Sequence, residues 1–293
     1  MDTIILLSIT GIGLGALYFL VASGLTLIYG LMGVLNFAHG AFLSVGAFVG
    51  LWLASSVLKE ATMTNFFLAM IVGGLAAAVF AVIMEQLLIN RLYDRHIDQV
   101  LVTVGVSLVV GAMLGGWFGN DLRMFPIPLW MMTGINVGGA MIPADRVIYI
   151  ATAIALLIGN WALLRFSRIG LIIRAGVENR TMVTALGINV KRAFSAVFFL
   201  GGFAAGVGGV LVSVYSNGVS PLVAGSYLIY GFVVVVIGGM GSVPGSFIAA
   251  MLIGIVKQFA NYYVTGLGDF VIALILAAVL LIRPQGLLGK AIS

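Results

Sequence analysis

Five polar side chains stand in stretches of this sequence that otherwise read as hydrocarbon, and their types set what chemistry the chain could perform. Lys257 lies near the centre of an apolar run from 246 to 264, with Gln258 adjacent and Asn261 one turn on. Asn36 and His39 stand three apart between Gly33 and Gly40. An uncompensated charge at mid-bilayer costs on the order of 2.5–3.5 kcal/mol on the permissive insertion scale, so Lys257 needs a reason. Either it faces a wet passage, where it would meet a carboxylate, or it snorkels and bonds to carbonyls of neighbouring helices. Asn36 and His39 share one face if their stretch is helical. Alternatively they mark a break where exposed backbone lines a cavity, with His39 either a structural hydrogen-bonding residue or a border of that cavity. Bond-making chemistry has little to work with. The only other histidine, His96, falls in a loop beside Asp94 and Asp98, cysteine is absent, and Glu85 and Asp269 form no pair. Glu85 is expected to reach the membrane interface and Asp269 to be solvated. An intramembrane enzyme would need a nucleophile with a base, or a metal cluster. A secondary transporter or channel would usually show an acidic relay, for which only Glu85 is a candidate.

The elements that must position these residues follow from composition. With 62% hydrophobic and 8% charged residues over 293 positions and a mean hydropathy of +1.23, the chain requires the bilayer as its solvent. Backbone polar groups in hydrocarbon must be satisfied within the segment, and the runs lack the alternation of membrane strands. The expectation is an all-α polytopic helix bundle of eight or nine spans, forming one membrane domain over 1–293. The runs are 4–29, 35–56, 65–90, 99–118, 147–165, 193–215, 223–240, 246–264 and 268–282, of which two could be broken or re-entrant.

Ten of the fourteen Lys and Arg residues fall on one set of alternate loops, while Lys59, Arg123 and Arg146 fall opposite. The positive-inside rule therefore puts the N-terminus outside and the C-terminus in the cytoplasm. Met1-Asp2-Thr3 gives no basic start for a cleavable signal. The outer connection 119–146 carries Pro126, Pro128, Pro143 and Gly138-Gly139, which predict turns and extended pieces capping the outer mouth. Glycines recur at four-residue spacing, as in Gly11/Gly15, Gly46/Gly50, Gly111/Gly115 and Gly202/Gly206, a pattern that lets membrane helices approach closely or slide. A weak echo links Met32-Gly33 and Gly40-Ala41-Phe42 with Met240-Gly241 and Gly245-Ser246-Phe247.

The strongly basic stretch within 166–192 forms a cytoplasmic elbow. Glu178 to Leu186 can make about two helical turns, with Glu178 at the positive end and Gly187 as the stop. Met182, Ala185 and Leu186 share one face, giving a small apolar knob. It either lies on anionic headgroups or docks on a soluble motor.

Arg174-Ala175-Gly176-Val177-Glu178-Asn179 followed by Ala185-Leu186-Gly187-Ile188-Asn189 resembles the cytoplasmic loop of LivH-type permeases of branched-chain amino-acid ABC importers. Gly24-Leu25-Thr26-Leu27-Ile28-Tyr29-Gly30 with Asn36-Phe37-Ala38-His39-Gly40, Gly238 to Gly245, and Arg283-Pro284-Gln285-Gly286-Leu287-Leu288-Gly289 are similar to further stretches of that family, in the same order. The resemblance implies a permease in a bacterial or archaeal cytoplasmic membrane, paired with a second homologous permease, two ATPase subunits that bind ATP and Mg, and an external binding protein. The substrate would be branched-chain or other hydrophobic amino acids, or alternatively urea or short amides. It also implies a coupling role for Arg174, Glu178, Met182, Ala185, Leu186 and Gly187, leaves Asn36, His39, Lys257 and Asn261 as pathway candidates, and requires no cofactor in this chain. The absence of any G-x-x-x-x-G-K-[ST] phosphate loop accords with an engine located elsewhere.

Overall fold

In a computed structural model the chain is described over residues 2–93, 95–178, 180–187, 189–221 and 223–289, with the side chains of 176–178, 180, 181, 223 and 224 outside that description. The apolar runs form helices α1 (Asp2–Met32), α2 (His39–Trp52, continued by a π-turn over Leu53–Leu58), α3 (Met63–Leu87), α4 (His96–Phe118), α5 (Asp145–Phe166), α8 (Val190–Tyr215), α9 (Val223–Gly238), α10 (Val243–Tyr263) and α11 (Leu267–Ile282). Seven of the spans so formed are long and apolar enough to cross a membrane, while α9 and α11 are shorter apolar helices. Between α5 and α8 lie α6 (Arg168–Glu178) and α7 (Arg180–Ala185). The chain is a multi-pass membrane helix bundle. The 119–146 connection contains a hairpin of β1 (Gly134–Val137) and β2 (Ala140–Pro143). Its two-residue turn needs positive φ twice, which Gly138 (59°) and Gly139 (93°) supply.

Contacts sort the connections into two ends. At the hairpin end, Gly139 lies against Asp2, Gly13 against the Arg146 side chain, and Arg123 pairs with Val219. At the elbow end, Gly30 meets Gly241, and the segment after α11 runs back under α9 through Leu287 N to Ile237 O (2.8 Å) and Leu288 N to Gly238 O (3.1 Å).

The bundle contains an inverted duplication. Helices α1–α4 and α8–α11 form similar arrangements run in opposite directions: α1 packs on α10 as α8 packs on α3, and α2 packs on α8 as α9 packs on α1. In each half a non-helical segment, 33–38 or 216–221, separates the first helix from the second. Hydrophobicity does not distinguish protein from lipid here, so close backbone approach supplies the packing. A Cβ on Gly15 would sit 2.6 Å from Ala250 O, and one on Gly206 would sit 2.6 Å from Ala77 Cβ and 2.8 Å from Gly73 O. Helices α1 and α8 cross where a Cβ on Gly24 would lie 2.4 Å from Gly201 O. The sequence echo between 32–42 and 240–247 does not follow this duplication, because those stretches lie at the junctions α1–α2 and α9–α10 and have different places in the two halves.

Candidate functional site

The first candidate constellation sits at the broken entry to α2. Gly33 turns the chain out of α1 with φ of 65°, and 34–38 runs back into the bundle without helical hydrogen bonds. Two of its amides are satisfied by side chains: Asn36 Oδ1 accepts from Ala38 N (3.0 Å), and Thr103 Oγ1 of α4 accepts from Phe37 N (3.2 Å). His39, fully buried, begins α2, and its Nε2 lies 2.9 Å from Val21 O. A carbonyl only accepts, so Nε2 carries the proton and Nδ1 is the bare acceptor. Val21 is eleven residues short of the end of α1, about 16 Å at 1.5 Å per residue, so α2 starts deep inside the bundle rather than at its elbow end. Asn36 and His39 thus lie in a re-entrant break and at a helix start rather than on one continuous helical face. Asn36 Nδ2 and His39 Nδ1 are both buried without a partner among the described residues.

Lys257 and Asn261 belong to a second constellation toward the hairpin end. Lys257 Nζ lies 2.6 Å from Asp269 Oδ1 and donates to Tyr230 Oη at 2.7 Å, while Tyr230 Oη donates to the same carboxylate oxygen at 2.7 Å. The ammonium also lies 4.0 Å from the Tyr230 ring centroid and 5.7 Å from that of Tyr18. The lysine side chain is 12% exposed and the aspartate 57%, so Asp269 is both partly solvated, as expected, and an ion-pair partner. Asn261 Oδ1 accepts from Gly268 N at 2.8 Å and closes the turn into α11.

The elbow is the third. Ser167 caps α6 through Gly170 N to Oγ (2.9 Å), and Gly170 is pressed so closely on α5 that a Cβ there would be 2.4 Å from Leu164 O. Ile173 is fully buried in a cluster with Val34, Met84, Ala193 and Phe198. Helix α7 is anchored by Val183, which packs with Val190 and Phe194 against Met32 and Tyr93. With Val183 turned inward, Met182 (62% exposed), Ala185 and Leu186 (68%) turn outward together. Gly187 ends the helix with φ of 77°. Arg174 is exposed, with Nε 3.4 Å from Gly170 O. The Glu178 side chain lies outside the described residues.

Sequence reasoning missed one residue here. Glu85, expected at the interface, is fully buried: Tyr93 Oη and Ser195 Oγ donate to its two carboxylate oxygens, each at 2.6 Å. It joins α3, the 88–93 turn and the start of α8 beside the anchor of α7. The available signal was its position inside the run, six residues before Arg91. Replacing Glu85 with Ala leaves two hydroxyls without their acceptor, and at about 1–3 kcal/mol per unsatisfied buried group the detergent-solubilised protein should unfold at a clearly lower temperature. An unchanged melting curve would remove Glu85 from the anchor.

Among the described residues no cluster of His, Asp and Glu could hold a metal ion. The profile of the family described as "Branched-chain amino acid transport system / permease component" matches residues 7–280. The permease protein LivH of the high-affinity branched-chain amino acid transport system of Salmonella typhimurium is 28% identical over 96% of this chain and 94% of its own. BraD of Pseudomonas aeruginosa is 26% identical over 96% and 94%, and a probable LivH of Methanocaldococcus jannaschii is 26% identical over 92% and 88%. A helix bundle with buried polar breaks and an anchored basic elbow is thus also a sequence relative of transport permeases along nearly its whole length, and the chain belongs to the branched-chain amino acid transport system permease family.

Proposed function

We propose that this protein is the permease subunit of an ABC importer that carries branched-chain amino acids across a bacterial or archaeal cytoplasmic membrane. The observation that carries the reading is the elbow: an apolar patch of Met182, Ala185 and Leu186 held outward at the end of a short helix that the neighbouring Val183 anchors in the bundle. Residues 1–293 act as one permease domain, with 166–192 as coupling elbow and 119–146 as cap. The elbow end faces the cytoplasm because Arg91, Arg95, Arg168, Arg174 and Arg283 lie in its connections and Arg165, Lys191 and Arg192 in the helix ends beside them. Two ATPase subunits bind ATP and Mg and grip the patch, a second homologous permease completes the conduit, and an external binding protein delivers substrate at the hairpin end. Closure of the motor draws on α7 and α6. The movement reaches the bundle through Val183 against Met32 and through the cluster shared by Ile173 and Val34. The glycine-lined contacts of α1 with α10 and of α8 with α2 and α3 are where the helices repack between outward- and inward-open states.

Affinity purification of the tagged chain from its native membrane tests the assembly. ATPase and second-permease subunits should be recovered with it, and recovery of this chain without any ATPase would contradict the importer reading.

A further inference from the structure

Between α1, the 33–38 break and α9 lies a small recess walled by Leu25, Tyr29, Val34, Phe232 and Val236, with Met240 at its edge and Asn36 set into it. Asn36 is fully buried, its Oδ1 is used by Ala38 N, and its Nδ2 has no partner among the described residues. Buried donors are nearly always paired, and an exception calls for an explanation. An unpaired amide donor on a residue that lines an aliphatic and aromatic hollow suits a guest with an apolar body and an acceptor oxygen.

We propose that this recess is a transit subsite of the importer, holding the aliphatic side chain of an amino acid against Leu25, Val34 and Val236 while Asn36 Nδ2 donates to its carboxylate. The inference rests on the importer reading above and adds the residues that hold the substrate. Met240 and Leu35, 44% and 38% exposed, flank the recess. Its present volume, about 30 Å³, suits a water rather than a leucine side chain, so loading requires the 33–38 segment to swing from α9. The structure supplies the pivot and the drive. Gly33 has φ of 65° with open space around it. Val34, a wall of the recess, shares its buried cluster with Ile173 of the elbow helix α6. Displacement of the elbow is thereby transmitted to the wall that must move.

Two variants of the full complex in proteoliposomes test this. Asn36→Ser keeps an oxygen able to accept from Ala38 N but removes the amide donor. Leucine uptake should fall at least tenfold, with ATPase stimulation by loaded binding protein retained within twofold, and uptake within twofold of wild type would overturn the subsite. Should Asn36→Ser fail to assemble, the second variant decides. The chain has no cysteine, so Val236→Cys introduces its only thiol, whose labelling by a small thiol reagent is read on this chain by mass. Leucine with binding protein during ATP turnover should slow labelling at least fivefold relative to turnover without leucine, and equal labelling would overturn the proposal. If the wild-type complex takes up no leucine with ATP, the importer reading falls and the subsite with it. If wild type transports but Asn36→Ser keeps uptake within twofold, or leucine leaves Val236→Cys labelling unchanged, only the subsite falls.

Discussion

Replacing Met182 and Leu186 together by Asp is expected to abolish uptake while leaving the protein in the membrane at normal abundance. The two side chains are among the more exposed apolar groups of the elbow, and α7 is held by Val183, Val190 and Phe194 instead, so the change should not unfold the lever. Burying an apolar side chain of this size at an interface is worth about 1.5–3 kcal/mol. Losing two anchors and desolvating two carboxylates should weaken docking of the motor by a factor of about 100 or more. Uptake of labelled leucine, the ATPase recovered on the tagged chain, and a membrane immunoblot read the result together. Retained uptake with normal ATPase recovery would mean that α7 lies on lipid headgroups and carries no force.

Gly206→Leu should be the most damaging single change to the bundle. Gly206 sits in α8 where α2 and α3 close on it from two sides: a Cβ on Gly46 would lie 2.3 Å from Gly206 Cα, and a Cβ on Gly206 would meet Ala77, Gly73 O and Gly74 Cα within 2.9 Å. Two of these neighbours are backbone and cannot rotate away. The expected destabilisation is about 3 kcal/mol, the upper end of the overpacking range, read as loss of folded protein and a lower unfolding temperature in detergent. Gly159→Leu is the control, because a Cβ there meets nothing within 4 Å. Equal behaviour of the two variants would show that glycine packing does not hold this bundle.

The spans were legible because they depend on local patterns, whereas the single helix expected over Glu178 to Leu186 is divided between α6, which Glu178 ends rather than starts, and α7 over Arg180–Ala185. A run of about twenty apolar residues has one stable solution in hydrocarbon, and Met182, Ala185 and Leu186 keep the spacing of one helical face whatever surrounds them. The run read as 35–56 shows the limit. Val34, Leu35, Phe37 and Ala38 are as apolar as a helix would require, yet they form the re-entrant break and α2 begins at His39. Hydropathy registers burial, not backbone conformation. The Lys257–Asp269 pair was not legible because it closes across the turn between α10 and α11. Glu85 was misjudged because its partners, Tyr93 and Ser195, come from two other parts of the chain. The inverted duplication left no usable trace in the residues, since reversing a helix preserves its packing role but not its sequence.

In the proposed importer this bundle is a conduit without an engine, worked through its elbow by separate ATPases. Accumulation of labelled leucine by proteoliposomes containing this chain, its second permease, the ATPases and binding protein tests it most directly. Uptake should require ATP and cease with a hydrolysis-deficient ATPase. Undiminished leucine flux without nucleotide would contradict the account.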